Sequence, residues 1–249
     1  MKYKEYREIS SRLHKPSDIK ALAKSRGLDE ELLMVLYTQN VVRDATRRFY
    51  KVKKRAPKML DLWRSGNSFC RISKRFSFPP VLMALLIMQE NKISKKRFWK
   101  MALKPGRIKD NRLRRDVIEA CKADLVYSPE GINRQRERGG WGEAKLCEWL
   151  DKRNIEYRTE AELRGSYKKT PDTLFSKPLR LNGSDRAWIE SKATFGDPFE
   201  LKRHVKRQLE PYLSMFGKGL VVYWFGYVED ARVSMPEGVS VVDGRFFEL

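Results

Sequence analysis

The sequence is short of the residues that build metal clusters and disulfides. Its 249 residues include two histidines, His14 and His204, and three cysteines, Cys70, Cys121 and Cys147. No two cysteines form a Cys-x-x-Cys pair, and their number is odd. This argues against a structural zinc site and a disulfide framework. The thiols sit among helical apolar positions and read as packed and reduced. No apolar run approaches the ~20 residues of a membrane span. The opening MKYKEYREIS has no apolar core of the kind a secretory leader needs. A soluble, intracellular protein is expected. Acidic residues are also scarce: 53 Lys+Arg face 32 Asp+Glu, a net charge of +21. The shortage is uneven. Residues 1–110 carry 28 bases against 10 acids, or +18, and residues 111–249 only +3. Such a basic half calls for a polyanionic partner, and nucleic acid is the commonest. What is present in quantity is core material. A 41% hydrophobic fraction with 28 aromatic residues supports packed cores, and the length allows one large domain or two small ones.

The stretch from Lys169 to Asp197, KTPDTLFSKPLRLNGSDRAWIESKATFGD, concentrates the chemistry. Thr173 to Phe175 start one strand, Ala187 to Thr194 form another, and Asn182-Gly183 supplies a turn tolerant of positive φ. Strand side chains alternate faces, so Glu190 and Lys192 point the same way. Folding the hairpin back brings Asp172 toward them. Two carboxylates and an ammonium then converge. Phosphodiester hydrolysis needs a hard cation and an activated water, and Mg²⁺ is held by one or two carboxylates. A lysine can orient the water or offset charge at phosphorus. A surface hairpin with ordinary charges remains the plain alternative at this level.

Longer blocks go further. Thr170-Pro171-Asp172, the run Trp188 to Ala193 with Phe195-Gly196-Asp197, and Phe216-Gly217 with Gly219 to Gly226 resemble the TPD-motif family, a branch of the PD-(D/E)XK nuclease superfamily with archaeal and animal members. The resemblance covers Tyr127 to about Tyr227 well and the N-terminal half loosely. It implies a restriction-endonuclease-like α/β core that cuts nucleic acid with Mg²⁺ or Mn²⁺ and leaves a 5′-phosphate. It makes Asp172 and Glu190 metal ligands and Lys192 the catalytic lysine, with the Ser191 carbonyl as an additional ligand. Glu143, at the start of a helix before the core sheet, matches an accessory ligand position. The helix macrodipole explains a glutamate there equally well. Gln208, on the helix after the hairpin, matches a position that feeds the active site. By analogy with junction resolvases, a homodimer is expected. The implied compartment is cytoplasm or nucleoid for an archaeal protein, nucleus and cytoplasm for a eukaryotic one.

The rest of the chain reads as follows. Residues 1–15 form a charged arm, helical or frayed. Ser17-Asp18 offers an N-cap and Gly27 a stop, and a second helix runs from Asp29 through Tyr37. Val41 to Lys58 carries Arg43, Arg47, Arg48, Lys51, Lys53, Lys54 and Arg55 against Asp44, a phosphate-tracking surface. Helices opened by Pro57 and Ser68 lead to the apolar run Pro80 to Met88. This helix-turn-helix shape includes Arg75, but the run is apolar enough to be core rather than base-reading. A basic helix with Lys95, Lys96 and Arg97 follows, then a linking helix over 108–125. We place the domain boundary near 126: residues 1–126 helical, basic and DNA-binding, residues 127–249 the nuclease core. The core should hold a helix from Trp141 to Asn154, a first strand over Ile155–Glu162, a helix Phe199–Met215 with Leu201, Val205, Leu209 and Leu213 facing the sheet, and strands at Gly219–Gly226 and Val239–Val242. His204 is expected as a phosphate contact or plain surface. The fold class is α+β overall. The expected function is metal-dependent cleavage of DNA, with structured or branched DNA among the candidate substrates. The rival readings are an RNA nuclease and a non-catalytic DNA-binding scaffold with a retired core.

Overall fold

The computed structural model describes the chain apart from Asn182, Arg232, Ser234 and Leu249. Helices come first: α1 (Tyr3–Ser10), α2 (Pro16–Arg26), α3 (Glu30–Lys53), α4 (Ala56–Arg64), α5 (Phe69–Phe76), α6 (Pro80–Glu90), α7 (Lys95–Leu103), α8 (Asn111–Ala123) and α9 (Pro129–Asp151). Then come β1 (Tyr157–Thr159), α10 (Glu160–Leu163), β2 (Thr173–Leu181) and β3 (Ser184–Lys192). α11 (Pro198–His204) runs through a π-helical turn, Val205–Leu209, into α12 (Glu210–Phe216), followed by β4 (Gly219–Tyr223) and β5 (Val239–Asp243). The class is α+β. Two compact units share this chain: Tyr37–Arg136, and Met1–Leu36 together with Glu137–Leu249. The division crosses the boundary drawn near 126. α1 and α2 fold with the sheet, while residues 127–136 fold with the basic helices.

In the unit Tyr37–Arg136, α6 is apolar all round and therefore sits in the core. Val81 and Met83 to Met88 are all buried, surrounded by Met59, Phe69, Ile72, Phe98, Val117 and Ala120. It is core, as its composition suggests. Asp124 anchors it: one carboxylate oxygen accepts the Val81 N–H at 3.0 Å, and the other accepts the N–H groups of Val126 and Tyr127. The side chains of Ser68, Ser94 and Asp110 cap α5, α7 and α8. This unit carries 26 Lys+Arg against 8 Asp+Glu, or +18, so the charge asymmetry follows the structural division more tightly than the sequence halves.

In the other unit the sheet order is β1-β2-β3-β4-β5. β1–β2 and β2–β3 pair antiparallel, β3–β4 and β4–β5 parallel. Period-two alternation sorts the side chains. Trp188, Val221 and Tyr223 face Leu201, Val205 and Leu209 of the α11–α12 helix. Ile189, Leu220 and Val222 face Leu146 and Leu150 of α9. The Ile155–Glu162 strand shrinks to three residues because Thr159 and Glu162 form a capping box that starts α10 instead. β4 ends at Tyr223, short of Gly226. In the hairpin, Gly183 has φ +74°, while Asn182 lies outside the described residues. The pairing slips between Leu174 and Leu179, beside Pro178, which cannot donate to a ladder.

The N-terminal arm is neither frayed nor part of the basic unit. Tyr6 and Ile9 are buried, the Tyr6 ring stacks on Phe195, and its hydroxyl donates to Asp197 at 3.2 Å. The α2 cap also differs from the Ser17-Asp18 reading. Pro16 takes the first helical position and Lys15 the cap, while Asp18 reaches back to the N–H groups of His14 and Lys15. α3 runs unbroken where the sequence suggests two segments, since no Gly or Pro interrupts residues 30–53.

Candidate active site

Hairpin register builds the site. Thr173 pairs with Ile189, which puts Asp172 across from Glu190. The Asp172 N–H donates to Glu190 Oε2 at 3.2 Å, and Asp172 Oδ2 accepts the Ser191 N–H at 2.6 Å. Two residues along, on the same face, Lys192 Nζ ion-pairs with Glu190 Oε1. From the opposing helix, Gln208 Nε2 donates to that same oxygen at 2.9 Å. Asp172, Glu190, Lys192 and Gln208 are thus brought together.

The electrostatics are strained. Glu190 is 2% exposed. Burial, and after it the Glu190 charge, push the Asp172 carboxyl up to about 8 from an ordinary 3.8. Burial also raises Glu190, with Lys192 opposing. Two carboxylates share one ammonium in a poorly hydrated place, so a cation is in deficit there. Asp172 Oδ1 has no hydrogen bond among the described residues.

Ser191 points its side chain to the other face, where its hydroxyl accepts the Trp224 indole N–H at 2.8 Å. The closeness of α9 there depends on Gly142. A Cβ at this position would lie 2.8 Å from the Trp224 ring and 3.1 Å from Ser191 Oγ. Glu143, next on α9, is exposed, though its charge contributes to raising Asp172. Among the described residues no three His, Cys, Asp or Glu side chains gather as a metal cluster, so the site is a pair of carboxylates.

Two residues take places that the sequence reading did not give them. Tyr212, four residues after Gln208, lies 3.4 Å from the Gln208 amide and donates its hydroxyl to the Thr170 carbonyl at 2.8 Å, tying the helix to the segment before Asp172. Its spacing from Gln208 is the one sequence signal for this. His204 is not surface: it is buried, 2.8 Å from the Tyr223 hydroxyl and 3.5 Å from Glu200. Burial, then the charges of Lys192, Arg203 and Arg207, pull its pKa down to about 3. It is neutral at physiological pH and serves packing. Gln208 lies within the π-helical turn, a distortion that often accompanies function.

The proposed phosphate contacts lie in the other unit. Arg47, Lys51, Lys53, Lys54, Arg55, Arg75, Lys95, Lys96 and Arg97 are exposed. Arg43 is half-buried. Arg48 is structural. It pairs with Asp44 and donates to the carbonyls of Phe76 and Ser77, closing the C-terminal end of α5.

The profile of the family described as "Protein of unknown function TPD sequence-motif" matches residues 109–245, more than half of the chain. The chain belongs to the TPD-motif family. Thr170-Pro171-Asp172 lies inside the matched stretch and carries the motif's letters. Among curated proteins, the chain is 30% identical over 192 residues to CDAN1-interacting nuclease 1 of Homo sapiens, covering 74% of this chain and 65% of that protein. The Mus musculus protein of that name is 30% identical over 176 residues, covering 68% and 63%. The Danio rerio one is 32% identical over 145 residues, covering 58% and 48%. The chain therefore spans less than two thirds of these relatives. No solved structure matches it. No helix among the described residues is long and apolar enough to cross a membrane.

Proposed function

We propose that the chain is a divalent-metal-dependent nuclease with a PD-(D/E)XK-type core, acting on DNA gripped by the unit Tyr37–Arg136. One observation carries the reading: the β2–β3 register opposes Asp172 and Glu190, with Lys192 on the same face. The name of the relatives, nucleases in animals, supports it. The site's chemistry fits Mg²⁺ or Mn²⁺. Its donors are hard oxygens, two carboxylates suffice for such an ion, and their raised proton affinity is the charge deficit a cation would relieve. Asp172 and Glu190 would hold the ion, which supplies Lewis acidity toward the phosphodiester. Glu190 also fixes Lys192 and Gln208. The Lys192 ammonium orients the attacking water and offsets charge gathering on phosphorus. Water loses a proton as it adds to phosphorus, the bond to the 3′ oxygen breaks, that oxygen takes up a proton from solvent, and a 3′-hydroxyl and a 5′-phosphate remain. The +18 of the helical unit supports a polyanion as substrate.

The test is cleavage of labelled linear, flapped, bubbled and four-way DNA, and of matching RNA, with Mg²⁺ or Mn²⁺. Wild type should cut DNA. Asp172→Asn and Glu190→Gln should abolish cleavage while leaving DNA affinity within about twofold, because two carboxylates hold the ion and not the strand. Full activity in either folded variant removes the site. Cleavage of RNA alone supports the RNA reading. Tight DNA binding with no carboxylate-dependent Mn²⁺ site supports a retired core.

A further inference from the structure

A cavity lies wholly within the unit Tyr37–Arg136, which does not contain the carboxylate pair. It has a volume of about 770 Å³ and is bounded by Ile93, one face of α7, the turn after it and Leu113 of α8. Its floor is apolar: Ile108 and Leu113 are buried, Met101 is half-buried, and Leu103 stands 64% exposed at the edge. Its rim is cationic. Arg97 and Lys100, three apart on α7, and Lys104, the residue that ends the helix, are joined by Arg107 and Lys109. None of these five forms an ion pair among the described residues. The one acid in the lining, Asp110, is committed to capping α8 through the Leu113 N–H at 2.8 Å.

Phosphate tracking on a duplex needs exposed cations but no apolar hollow, because the bases stay stacked inside. The ligand that suits an apolar floor under a ring of positive charge has a flat, weakly polar body and an anionic string on each side. An unpaired nucleotide within a strand has that chemistry, and the volume lies within the range of small-ligand sites. We propose that this cavity takes an unpaired base of a nucleic acid strand, laid on Met101, Leu103 and Leu113, with the neighbouring phosphates on Arg97, Lys100, Lys104 and Arg107. The substrate class then becomes DNA with a single-stranded tail or branch. The inference rests on the reading that this chain handles nucleic acid, and is independent of whether it cuts.

The experiment uses the full chain in EDTA, so that binding is measured without cleavage. Fluorescence anisotropy compares a blunt duplex, the same duplex with a single-stranded tail, and the same tail made abasic, which keeps every phosphate and removes the bases. The expected result is roughly tenfold tighter binding of the natural tail than of the abasic one, from burial of the base's apolar face on the aliphatic floor. Met101→Gln and Leu103→Gln, at partly exposed positions, should erase that difference and leave duplex binding unchanged. Equal affinity for natural and abasic tails, or a difference that survives both substitutions, overturns the cavity assignment while leaving the nuclease reading intact. No binding to any nucleic acid at low salt overturns both. Binding to phosphatidylserine vesicles that Met101→Gln abolishes, with natural and abasic tails equal, assigns the cavity to a lipid anion instead and overturns the proposal.

Discussion

Removing one carboxylate from the candidate site should make the metal-free protein more stable, and the gain should depend on pH in a fixed direction. The perturbation is Asp172→Asn. It keeps the shape and the oxygen that accepts the Ser191 N–H, but leaves Glu190 and Lys192 as a balanced pair. In the wild type, Asp172 is raised from 3.8 to about 8 by burial and by Glu190. The native state therefore retains a proton that the unfolded chain has released between pH 4 and pH 8, and stability is lost as pH rises through that window. Asparagine cannot titrate and lacks this loss. At about 1.4 kcal/mol per pKa unit, the displacement sets a ceiling of roughly 6 kcal/mol. Asp172 is only half-buried, and the Lys192 ammonium offsets part of the repulsion, so a net gain of ~2 kcal/mol is expected above pH 8. For a unit of this size that is roughly 4–8 °C in melting temperature. The assay is thermal and urea unfolding in EDTA at pH 4, 6 and 8.5. The difference between variant and wild type should grow from near zero at pH 4 to its full value at pH 8.5. A variant less stable at pH 8.5, or a difference that does not change with pH, refutes the claim that these carboxylates are held in a cation-deficient site.

Lys192→Ala should lower turnover on the order of 100-fold or more yet keep Mn²⁺ affinity within a few-fold, since an ammonium does not ligate a cation; calorimetric Mn²⁺ titration checks the second part. Gly142→Ala should cost ~1–3 kcal/mol in urea unfolding, because the new Cβ meets the Trp224 ring at 2.8 Å, and smaller changes at the neighbouring exposed Glu143 should not. Replacing Lys51, Lys54 and Arg55 with Gln should flatten the slope of log affinity against log salt by about 0.9 for each phosphate that is no longer neutralised. An unchanged slope in anisotropy titrations over a salt series would show that this surface does not grip the duplex.

The residues that were legible from sequence are those whose information is local. Glu190 and Lys192 share a face because strands alternate, and Asp172 meets them because a hairpin returns on itself, so the pair could be read before the fold. α6 could be read as core because no face of it is polar. What could not be read depended on partners far along the chain. Tyr6 sits in a run of charges that reads as an arm, yet it is buried by Phe195 and Asp197, nearly two hundred residues away. His204 shares its spacing with Gln208, but the Tyr223 hydroxyl and Glu200 turn it into a packed neutral ring. Arg48 looks like any other cation of its cluster until Phe76 and Ser77 offer it carbonyls. These long-range contacts change how the two proposed roles, gripping and cutting, can be separated in an experiment. Cutting away residues 1–110 looks like a clean removal of the basic half. It would also strip α1 from the loop that follows Lys192, where Asp197 caps α11 with the N–H groups of Phe199 and Glu200 while accepting the Tyr6 hydroxyl. A truncated core that lost activity would then report a damaged site as readily as a lost grip. Charge substitutions confined to Tyr37–Arg136, the unit that holds +18 of the +21, test the proposed grip without altering the carboxylates or the residues that hold them.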